Sequence, residues 1–271
     1  MTNTILITGA SSGIGRATAR LFQSQGWNVV ATMRSPEREA DLSDLDRVLV
    51  ARLDVTDEAT VDAAVAQGLD HFGRIDVLLN NAGVGAYGPL EATPMDTVRR
   101  QFDTNVLGVL RVTKALIPHF RANRAGLIVN VSSMGGRIAF PLGALYHGTK
   151  FAVEGLSEAL SFEMAAIGVR VKIVEPGMVR TDFVDRSLVF SNDERLTEYQ
   201  PLVERLMAST AAGQASGSDP LAVAATILRA ATDGSDQLRY VAGSDAEALL
   251  ARRSAEGDAD FQGSLRAMFG L

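Results

Sequence analysis

The sequence predicts an α/β fold, a single doubly wound domain in which a parallel sheet carries helices on both faces. Short apolar segments alternate with helical segments along most of the chain, which is the order that β-α-β units require. Several of these segments, among them residues 77–79 and 127–129, are apolar at every position, as expected of strands buried on both faces. The 271 residues suffice for one large domain with a sizeable core.

Local patterns give the individual elements. Apolar runs predict strands at residues 4–8, 28–33, 48–53, 75–80, 126–131, 169–174 and 239–242. Helical spacing of apolar residues predicts helices at residues 13–25, 57–72, 94–123, 143–167 and 221–232. Asp57 and Glu58 suit the start of the second helix through the helix dipole. Pro118 predicts a kink or an early end in the third helix.

One segment interrupts the alternation of strands and helices. Residues 183–218 mix charged, aromatic and small side chains after the sixth strand, and they end in the sequence Gly-Gln-Ala-Ser-Gly-Ser. We interpret them as an insertion that covers the functional site. The whole chain, residues 1–271, is then one domain, and the insertion is a loop within it rather than a second domain.

Composition argues against several classes of function. The net charge of −6 is unfavourable for a protein whose main partner is nucleic acid. There is no cysteine and there are three histidines, so disulfides and thiolate sites are excluded and no metal site is predicted. No apolar run approaches the length of a membrane-spanning helix, and residues 1–7 lack the pattern of a secretory signal. We therefore expect a cytoplasmic protein.

A glycine-rich loop follows the first predicted strand and precedes the first helix. Gly9, Gly13 and Gly15 let the backbone turn sharply and approach a pyrophosphate, which the helix N-terminus then attracts. The spacing is G-x-x-x-G-x-G rather than the commoner G-x-G-x-x-G, and a plain tight turn is the alternative. The cofactor-binding residues predicted in this loop are Gly9, Ser11, Ser12, Gly13, Ile14 and Gly15. They predict a Rossmann-like dinucleotide site.

The end of the second strand indicates which dinucleotide binds. An acidic residue there would bond the ribose 2′-hydroxyl of NAD, and an arginine would pair with the 2′-phosphate of NADP. Met33 takes the acidic position and Arg34 follows it. The sequence therefore favours NADP(H) over NAD(H), with a solvated surface arginine as the alternative interpretation of Arg34. Arg38 is a second candidate for the phosphate, although an exposed arginine is the simpler reading.

Tyr146 and Lys150 stand four residues apart and so lie on one face of the same predicted helix. A free phenol has a pKa near 10, and a neighbouring ammonium favours the phenolate. We therefore expect Lys150 to lower the pKa of Tyr146, which would exchange a proton with a carbonyl or an alcohol. Lys150 is also expected to hold the nicotinamide ribose.

Two polar residues complete the predicted catalytic set. Ser133 follows the fifth strand, at the sheet edge where ligands bind in such folds, and its hydroxyl can bond the substrate oxygen. Asn105 lies in a largely apolar helical stretch and can anchor a water that links Lys150 to solvent. The chemistry expected from the set is hydride transfer with a nicotinamide cofactor.

Together these residues resemble the classical short-chain dehydrogenase/reductase family. The resemblance is carried by TGASSGIG at residues 8–15, Asp54, NNAG at residues 80–83, Asn105, Ser133, the YxxxK pair Tyr146 and Lys150, and PGxxxT at residues 176–181. These motifs occur in family order and spacing over residues 4–182. The ending T-x-R of the second strand and the run Leu238-Arg239-Tyr240 most resemble the hydroxysteroid and retinol dehydrogenase branch and related carbonyl reductases.

The resemblance implies a seven-stranded parallel sheet and a homodimer or homotetramer. It implies a catalytic tetrad of Asn105, Ser133, Tyr146 and Lys150. It implies that Asp54 and Val55 lie near the adenine, that Asn81, Ala82 and Gly83 flank the adenosine ribose, and that Pro176, Gly177, Val179 and Thr181 meet the nicotinamide.

The chain departs from the family pattern in two places. The family often has Y-x-A-S-K, where this chain has Tyr146-His147-Gly148-Thr149-Lys150, and we expect activity to survive the change. His147 is expected to be exposed rather than catalytic. Some members that use NADP carry a basic residue where this chain has Ser12, so the preference for NADP rests chiefly on Arg34.

Apolar residues in segments that should border the site suggest a lipophilic carbonyl or alcohol. The predicted substrate contacts are Met134, Phe140, Met178 and Phe183, with Leu142, Leu188 and Phe190 in the same segments. The alternative is that most of them pack in the core. The segment 183–218 is expected to move over the substrate, as active-site lids do.

Three functions are compatible with the sequence. The first is an NADPH-dependent carbonyl reductase, and the second is an NAD-dependent alcohol dehydrogenase that works in the oxidative direction. Arg34 favours the first. The third is a nucleotide-binding redox sensor without chemistry, against which the intact set of Ser133, Tyr146 and Lys150 argues, because a pure binding protein has no use for a proton-transfer set.

Overall fold

The computed structural model describes residues 2–271, except for the side chains at positions 184, 185, 212, 214 and 215. In chain order its strands are β1 (Thr4–Thr8), β2 (Asn28–Met33), β3 (Val48–Arg52), β4 (Val77–Asn80), β5 (Gly85–Tyr87), β6 (Gly126–Val131), β7 (Val169–Pro176), β8 (Leu188–Phe190) and β9 (Arg239–Ala242). Seven of them form one sheet in the order β3-β2-β1-β4-β6-β7-β9, and every pair is parallel. The predicted α/β fold with a seven-stranded parallel sheet is confirmed.

Helices connect the strands and cover both faces of the sheet. They are α1 (Gly13–Ser24), α2 (Glu58–Phe72), α3 (Met95–Phe102), α4 (Gly108–Asn123), α5 (Ala144–Ala165), α6 (Phe183–Ser187), α7 (Gln200–Ser216), α8 (Pro220–Thr232), α9 (Ser244–Ala255) and α10 (Asp258–Phe269). The long helix predicted at residues 94–123 is divided by a π-helical segment, Asp103–Leu107. The helix continues past Pro118 to Asn123, so of the two predicted alternatives, a kink or an early end, the early end is wrong.

The core consists of two apolar layers, one on each face of the sheet. On one face Ala19 and Phe22 of α1 meet Val223 and Ile227 of α8 against the strands. On the other face, buried residues of α2, α4 and α5 pack on the same strands. The β1 sequence Thr-Ile-Leu-Ile-Thr is buried throughout because it lies between both layers.

A smaller apolar cluster joins the last two helices to the chain segment that follows β6. Phe261 and Leu265 of α10 pack with Leu250 of α9 against Met134 and Ile138. The sequence analysis did not predict α9 and α10. Their packing brings the end of the described chain close to the segment that carries Ser133.

The segment predicted as an insertion contains regular structure. It comprises α6, β8, a 3-10 turn at Thr197–Tyr199 and α7. Strand β8 pairs in parallel with β5 and forms a separate two-stranded sheet, in which Ala86 is opposite Val189. This pairing holds the start of the segment beside the loop that follows β4.

Candidate active site

A cleft of about 790 Å³ opens at the carboxyl edge of the main sheet. It is bordered by the segments that follow β1, β2, β3, β4, β6 and β7, as expected for a ligand site in an open parallel sheet. The predicted site residues that line it are Gly9, Ser11, Ser12, Gly13, Ile14, Arg34, Asp54, Val55, Asn81, Ala82, Gly83, Ser133, Met134, Phe140, Tyr146, Lys150, Pro176, Gly177, Met178, Val179, Thr181 and Phe183. Gly15 and Asn105 are buried and do not line it.

The glycine loop is compact because of its backbone geometry. Gly9 and Gly13 have positive φ angles of 69° and 51°, which disfavour residues with a Cβ atom. A Cβ on Gly15 would lie 2.3 Å from the carbonyl oxygen of Gly9, so this position cannot carry a side chain. The loop therefore presents main-chain groups to the cleft.

The N-terminus of α1 faces the same loop. Among the described residues, its N-cap Ser12 makes no side-chain capping bond, and its first turn contains no acidic residue. The first N–H groups of a helix have no partner within the helix, and the helix dipole makes this end positive. The end of α1 can thus bind an anion.

Asn81 fastens the loop after β4 to the glycine loop. Its side-chain Nδ2 donates to the carbonyl oxygens of Thr8 and Gly9, at 2.9 and 3.1 Å. The hydroxyl of Thr8 accepts hydrogen bonds from the backbone N–H groups of Asn81 and Ala82. The two loops are therefore held as one wall of the cleft.

Arg34 lies at the far end of the cleft, after β2. Its side chain is exposed and makes no hydrogen bond or ion pair with the described part of the chain. Arg16, by contrast, is paired with Glu39 and Asp41. The guanidinium of Arg34 is accordingly available to a ligand.

Tyr146 and Lys150 project from α5 toward the cleft, and their separation follows from the helical spacing. The Nζ atom of Lys150 lies 5.8 Å from the centre of the Tyr146 ring and donates to the carbonyl oxygen of Val131 at 2.9 Å. Lys150 is 9% exposed, and burial lowers its pKa to about 8, although Glu154 opposes the shift. The ammonium group is therefore buried and hydrogen-bonded to the main chain.

The pKa of Tyr146 differs from the prediction. Burial raises the pKa of this phenol, and the Ser133 hydroxyl opposes the rise by hydrogen bonding. The expected lowering of the Tyr146 pKa is therefore wrong for this structure, because desolvation is the largest cause of the shift. At neutral pH the phenol is protonated.

Ser133 is held at the end of β6 by the turn that follows. Its Oγ atom accepts a hydrogen bond from Gly135 N at 3.0 Å and donates to the Pro176 carbonyl oxygen at 3.4 Å. It is also the N-cap of the short turn Met134–Gly136. The hydroxyl is thus fixed between β6 and β7, where Tyr146 faces it.

Asn105 occupies the middle of the π-helical segment. Its Oδ1 atom accepts from Val84 N at 2.9 Å, and its Nδ2 atom donates to the Val84 carbonyl oxygen and to the Thr149 hydroxyl. These bonds tie the loop after β4 to α5. Because protein groups occupy its amide, the side chain of Asn105 acts here as a clamp, and its place in a catalytic tetrad stays a prediction.

His147 is buried, so the expectation of an exposed side chain is wrong. It is 3% exposed, its Nδ1 atom is 2.9 Å from the Gly135 carbonyl oxygen, and its Nε2 atom is 3.1 Å from Phe140 N. The segment between β6 and α5 folds over this position. Periodicity within α5 carries no information about a covering loop, which is why the sequence analysis missed it.

The predicted substrate contacts lie in a part of the cleft that is lined mostly by apolar side chains, which we call its substrate end. All four predicted contacts line it, as do Leu188 and Phe190, whereas Leu142 does not. The sequence analysis missed several further lining residues, namely Tyr87, Leu206, Met207, Met268 and Phe269. The spacing of Phe261, Leu265 and Phe269 is that of an amphipathic helix, and it was the available signal for α10.

Comparison with known proteins agrees with this fold and site. Residues 3–189 match the family model described as short chain dehydrogenase. An uncharacterized oxidoreductase of Schizosaccharomyces pombe is 45% identical over 239 residues, which cover 88% of this chain and 100% of that protein. The 3-ketodihydrosphingosine reductase of Bacteroides thetaiotaomicron is 35% identical over 248 residues, which cover 92% of this chain and 90% of that protein.

Solved structures show the same architecture. A short-chain dehydrogenase from Streptomyces avermitilis superposes with a TM-score of 0.85 at 36% identity, covering 100% of this chain and 98% of that one. ElxO with NADP bound has a TM-score of 0.73 at 29% identity, and the match covers 89% of this chain and 98% of that one. A protein from Burkholderia phymatum in complex with NAD has a TM-score of 0.80 at 28% identity, and the match covers 96% of this chain and 95% of that one.

The chain belongs to the short-chain dehydrogenase family. It is an oxidoreductase of that type, and similar proteins of known structure bind NAD or NADP. Within residues 2–271, no helix is both long and apolar enough to cross a bilayer.

Proposed function

We propose that this protein transfers a hydride between NADP(H) and the carbonyl or secondary alcohol of a lipophilic small molecule, with Tyr146 as general acid and base. The observation that carries the proposal is the meeting of Tyr146, Lys150 and Ser133 in the same cleft as the glycine loop and the N-terminus of α1. The proton-transfer groups and the anion-binding backbone then serve one reaction.

The cleft fits a nicotinamide dinucleotide. The positive end of α1 and the close approach allowed by Gly9 and Gly13 suit a pyrophosphate. The residues that would hold the dinucleotide are Gly9, Ser11, Ser12, Gly13, Ile14, Gly15, Arg34, Asp54, Val55, Asn81, Ala82, Gly83, Tyr146, Lys150, Pro176, Gly177, Val179 and Thr181. When bound, NADP(H) supplies or accepts the hydride.

In carbonyl reduction Tyr146 donates the proton to the carbonyl oxygen. The phenol is protonated at neutral pH, since burial raises its pKa above the ordinary value, so it can act as the proton donor. Ser133 holds the substrate oxygen through its hydroxyl. Lys150 places a positive charge behind the phenol and holds the cofactor ribose, and Asn105 supports the wall of the site.

A substrate panel tests this function. We expect turnover of ketones or aldehydes with NADPH, and long-chain 3-keto compounds belong in the panel because a relative is named 3-ketodihydrosphingosine reductase. The apolar residues Met134, Phe140, Met178 and Phe183 are the proposed substrate contacts. A protein that binds NADPH tightly but reduces no member of a broad panel would instead favour the redox-sensor alternative.

The preference for NADP is proposed to depend on Arg34. Charge-assisted hydrogen bonds contribute about 1.5–3 kcal/mol, so Arg34→Asp is expected to raise the Kd for NADPH by about 10- to 100-fold. The introduced carboxylate should lower the Kd for NADH. Fluorescence titration of both cofactors measures the two constants.

Arg38→Asp is the matched control for this prediction. Arg38 is exposed on the turn after β2 but does not line the cleft. Its substitution should change the Kd for NADPH by less than about twofold. If both substitutions raised the Kd for NADPH equally, the cofactor would be bound through the general positive charge of this region rather than through a bond from Arg34.

We propose that residues 183–218 form a substrate lid within a single domain of residues 1–271. The support is that Phe183, Leu188, Leu206 and Met207 line the cleft from this segment. Lids exclude water and contact the substrate, and they open for product release. The segment is joined to the rest of the chain through the pairing of β8 with β5.

A homodimer or homotetramer is also proposed. Large apolar side chains are exposed along α3 to α5, namely Phe102, Leu107, Phe151, Leu156 and Phe162. Such a concentration of exposed apolar groups is typical of an association surface. Light scattering should give a mass of two or four chains. The proposed location, the cytoplasm, rests on the sequence alone.

A further inference from the structure

We propose that His147 is a positioning residue, which holds the loop of residues 133–143 in the geometry that the reaction needs. The proposal rests on the proposed function for its kinetic consequences, and on hydrogen bonds within the protein for its geometry. His147 follows the catalytic Tyr146 on α5, whereas the loop begins at Ser133. The imidazole therefore connects the two sides of the reaction site.

The two ring nitrogens of His147 bond two different parts of the loop. Phe140 N can only donate, so Nε2 accepts from it at 3.1 Å. The carbonyl oxygen of Gly135 can only accept, so Nδ1 carries the proton and donates at 2.9 Å. One neutral tautomer, with the proton on Nδ1, satisfies both bonds at once.

The loop is shaped to receive the imidazole. A Cβ atom on Gly135 would lie 2.8 Å from Nδ1 of His147, and one on Gly143 would lie 2.5 Å from Cδ2. Both distances are shorter than real Cβ contacts, so any larger residue at either position would displace the ring. The two glycines and the histidine thus form one packing unit.

This unit fixes groups that the proposed reaction uses. Gly135, whose carbonyl accepts from His147, donates its own N–H to the Ser133 hydroxyl at 3.0 Å. Phe140, whose N–H is held by His147, lines the substrate end of the cleft. Release of the imidazole would therefore loosen the Ser133 hydroxyl and one wall of the substrate site together.

The surroundings of His147 favour its neutral form. Burial lowers the pKa of the imidazole, although the Gly135 carbonyl opposes the shift. The titratable side chains whose rings face it are the phenols of Tyr87 and Tyr146, at centroid distances of 6.0 and 5.6 Å. A second proton on the ring would remove the acceptor that Phe140 N requires.

The ring tautomer is the first test, and it requires no variant. Nitrogen-15 NMR of the three histidines at pH 7, assigned by single substitutions, reports which ring nitrogen of His147 carries the proton. We expect a neutral ring with the proton on Nδ1. A neutral ring with the proton on Nε2, or a mixture of charged and neutral rings at pH 7, overturns the proposal even if no substrate has been found.

Three substitutions separate the two hydrogen bonds. His147→Phe keeps a ring but makes neither bond, His147→Asn can still donate to Gly135, and His147→Gln can still accept from Phe140. Because small misplacements of reacting groups cost large factors in rate, the Phe variant should lose about 10- to 100-fold in kcat/KM for a carbonyl. The Asn and Gln variants should each retain part of the kcat/KM that the Phe variant loses. The Kd for NADPH should stay within about twofold of the wild-type value in all three variants.

His71→Asn is the matched control, because His71 is exposed on α2 and lies outside the cleft. It should leave kcat/KM unchanged. Wild-type efficiency in His147→Phe overturns the proposal. If the wild-type protein reduces no carbonyl, the proposed function fails, and the tautomer of His147 still decides whether the loop is held as inferred.

Discussion

Replacing Tyr146 by phenylalanine is expected to lower kcat for carbonyl reduction by about 10²- to 10⁴-fold, the usual contribution of a positioned general acid. The substitution removes one hydroxyl and leaves the ring, which packs against Tyr87 and Phe183 at centroid distances of 5.5 and 6.3 Å. The shape of the cleft should therefore survive. The developing charge on the substrate oxygen would then lack its proton donor.

The binding of NADPH separates this effect from damage to the site. The proposed phosphate contacts lie on the glycine loop, and the substitution removes one of the many contacts proposed for the dinucleotide. We expect the Kd for NADPH to change by less than about threefold, and stopped-flow measurement of a single turnover should show that the hydride-transfer step is slowed.

Tyr87→Phe is the matched control, since it removes a second phenol hydroxyl from the same cleft. Burial raises the pKa of Tyr87 well above its ordinary value, and the neighbouring Tyr146 raises it further. Its hydroxyl makes no hydrogen bond to the described residues. A small effect on kcat is expected. Equal losses in both variants would show that the reaction needs a polar cleft rather than a proton from Tyr146.

The strands and the location of the site could be predicted because they follow from local patterns and one topological rule. A run such as Leu127–Val129 is apolar because it is buried on both faces, and that burial is visible in the sequence. The carboxyl ends of parallel strands meet at one edge, so Asn81, Ser133 and Gly177 converge although they are far apart in the chain.

Features that depend on tertiary packing could not be predicted in this way. Strands β5 and β8 have three residues each, which is too short for a periodic signal, and they exist because they pair with each other. The π-helical segment around Asn105 has no pattern of its own. The burial of His147 depends on a loop that closes over it, and the pKa of Tyr146 depends on the desolvation that results from the folded cleft.

Replacing Lys150 by methionine is expected to abolish turnover and to stabilise the folded protein at pH 7. Burial lowers the pKa of Lys150 from 10.5 to about 8. A shift of this size corresponds to about 3 kcal/mol of unfavourable interaction in the charged form. Methionine removes the charge but also the charge-assisted bond to the Val131 carbonyl, which costs about 1.5–3 kcal/mol. A net gain of at most about 1.5 kcal/mol in the free energy of unfolding is expected.

The pH dependence of the stability difference between the two proteins shows whether the buried charge of Lys150 causes it. The folded pKa of Lys150 lies below the unfolded pKa, so between pH 8 and pH 10.5 the unfolded wild-type chain binds more protons than the folded one. Wild-type stability should therefore rise with pH across this window. The advantage of Lys150→Met should be complete below pH 8 and should shrink toward pH 10.5. Urea unfolding of both proteins at several pH values measures the difference.

Lys114→Met is the control, because Lys114 is an exposed lysine on α4 and its loss should have little effect on stability at any pH. If Lys150→Met were less stable than the wild type at pH 7, the bond to Val131 and the attraction of Glu154 would outweigh desolvation. If it is more stable and inactive, the buried ammonium opposes folding and serves the reaction. A charge that costs stability at the position where the proposed chemistry requires it is the expected consequence of selection for activity at this site.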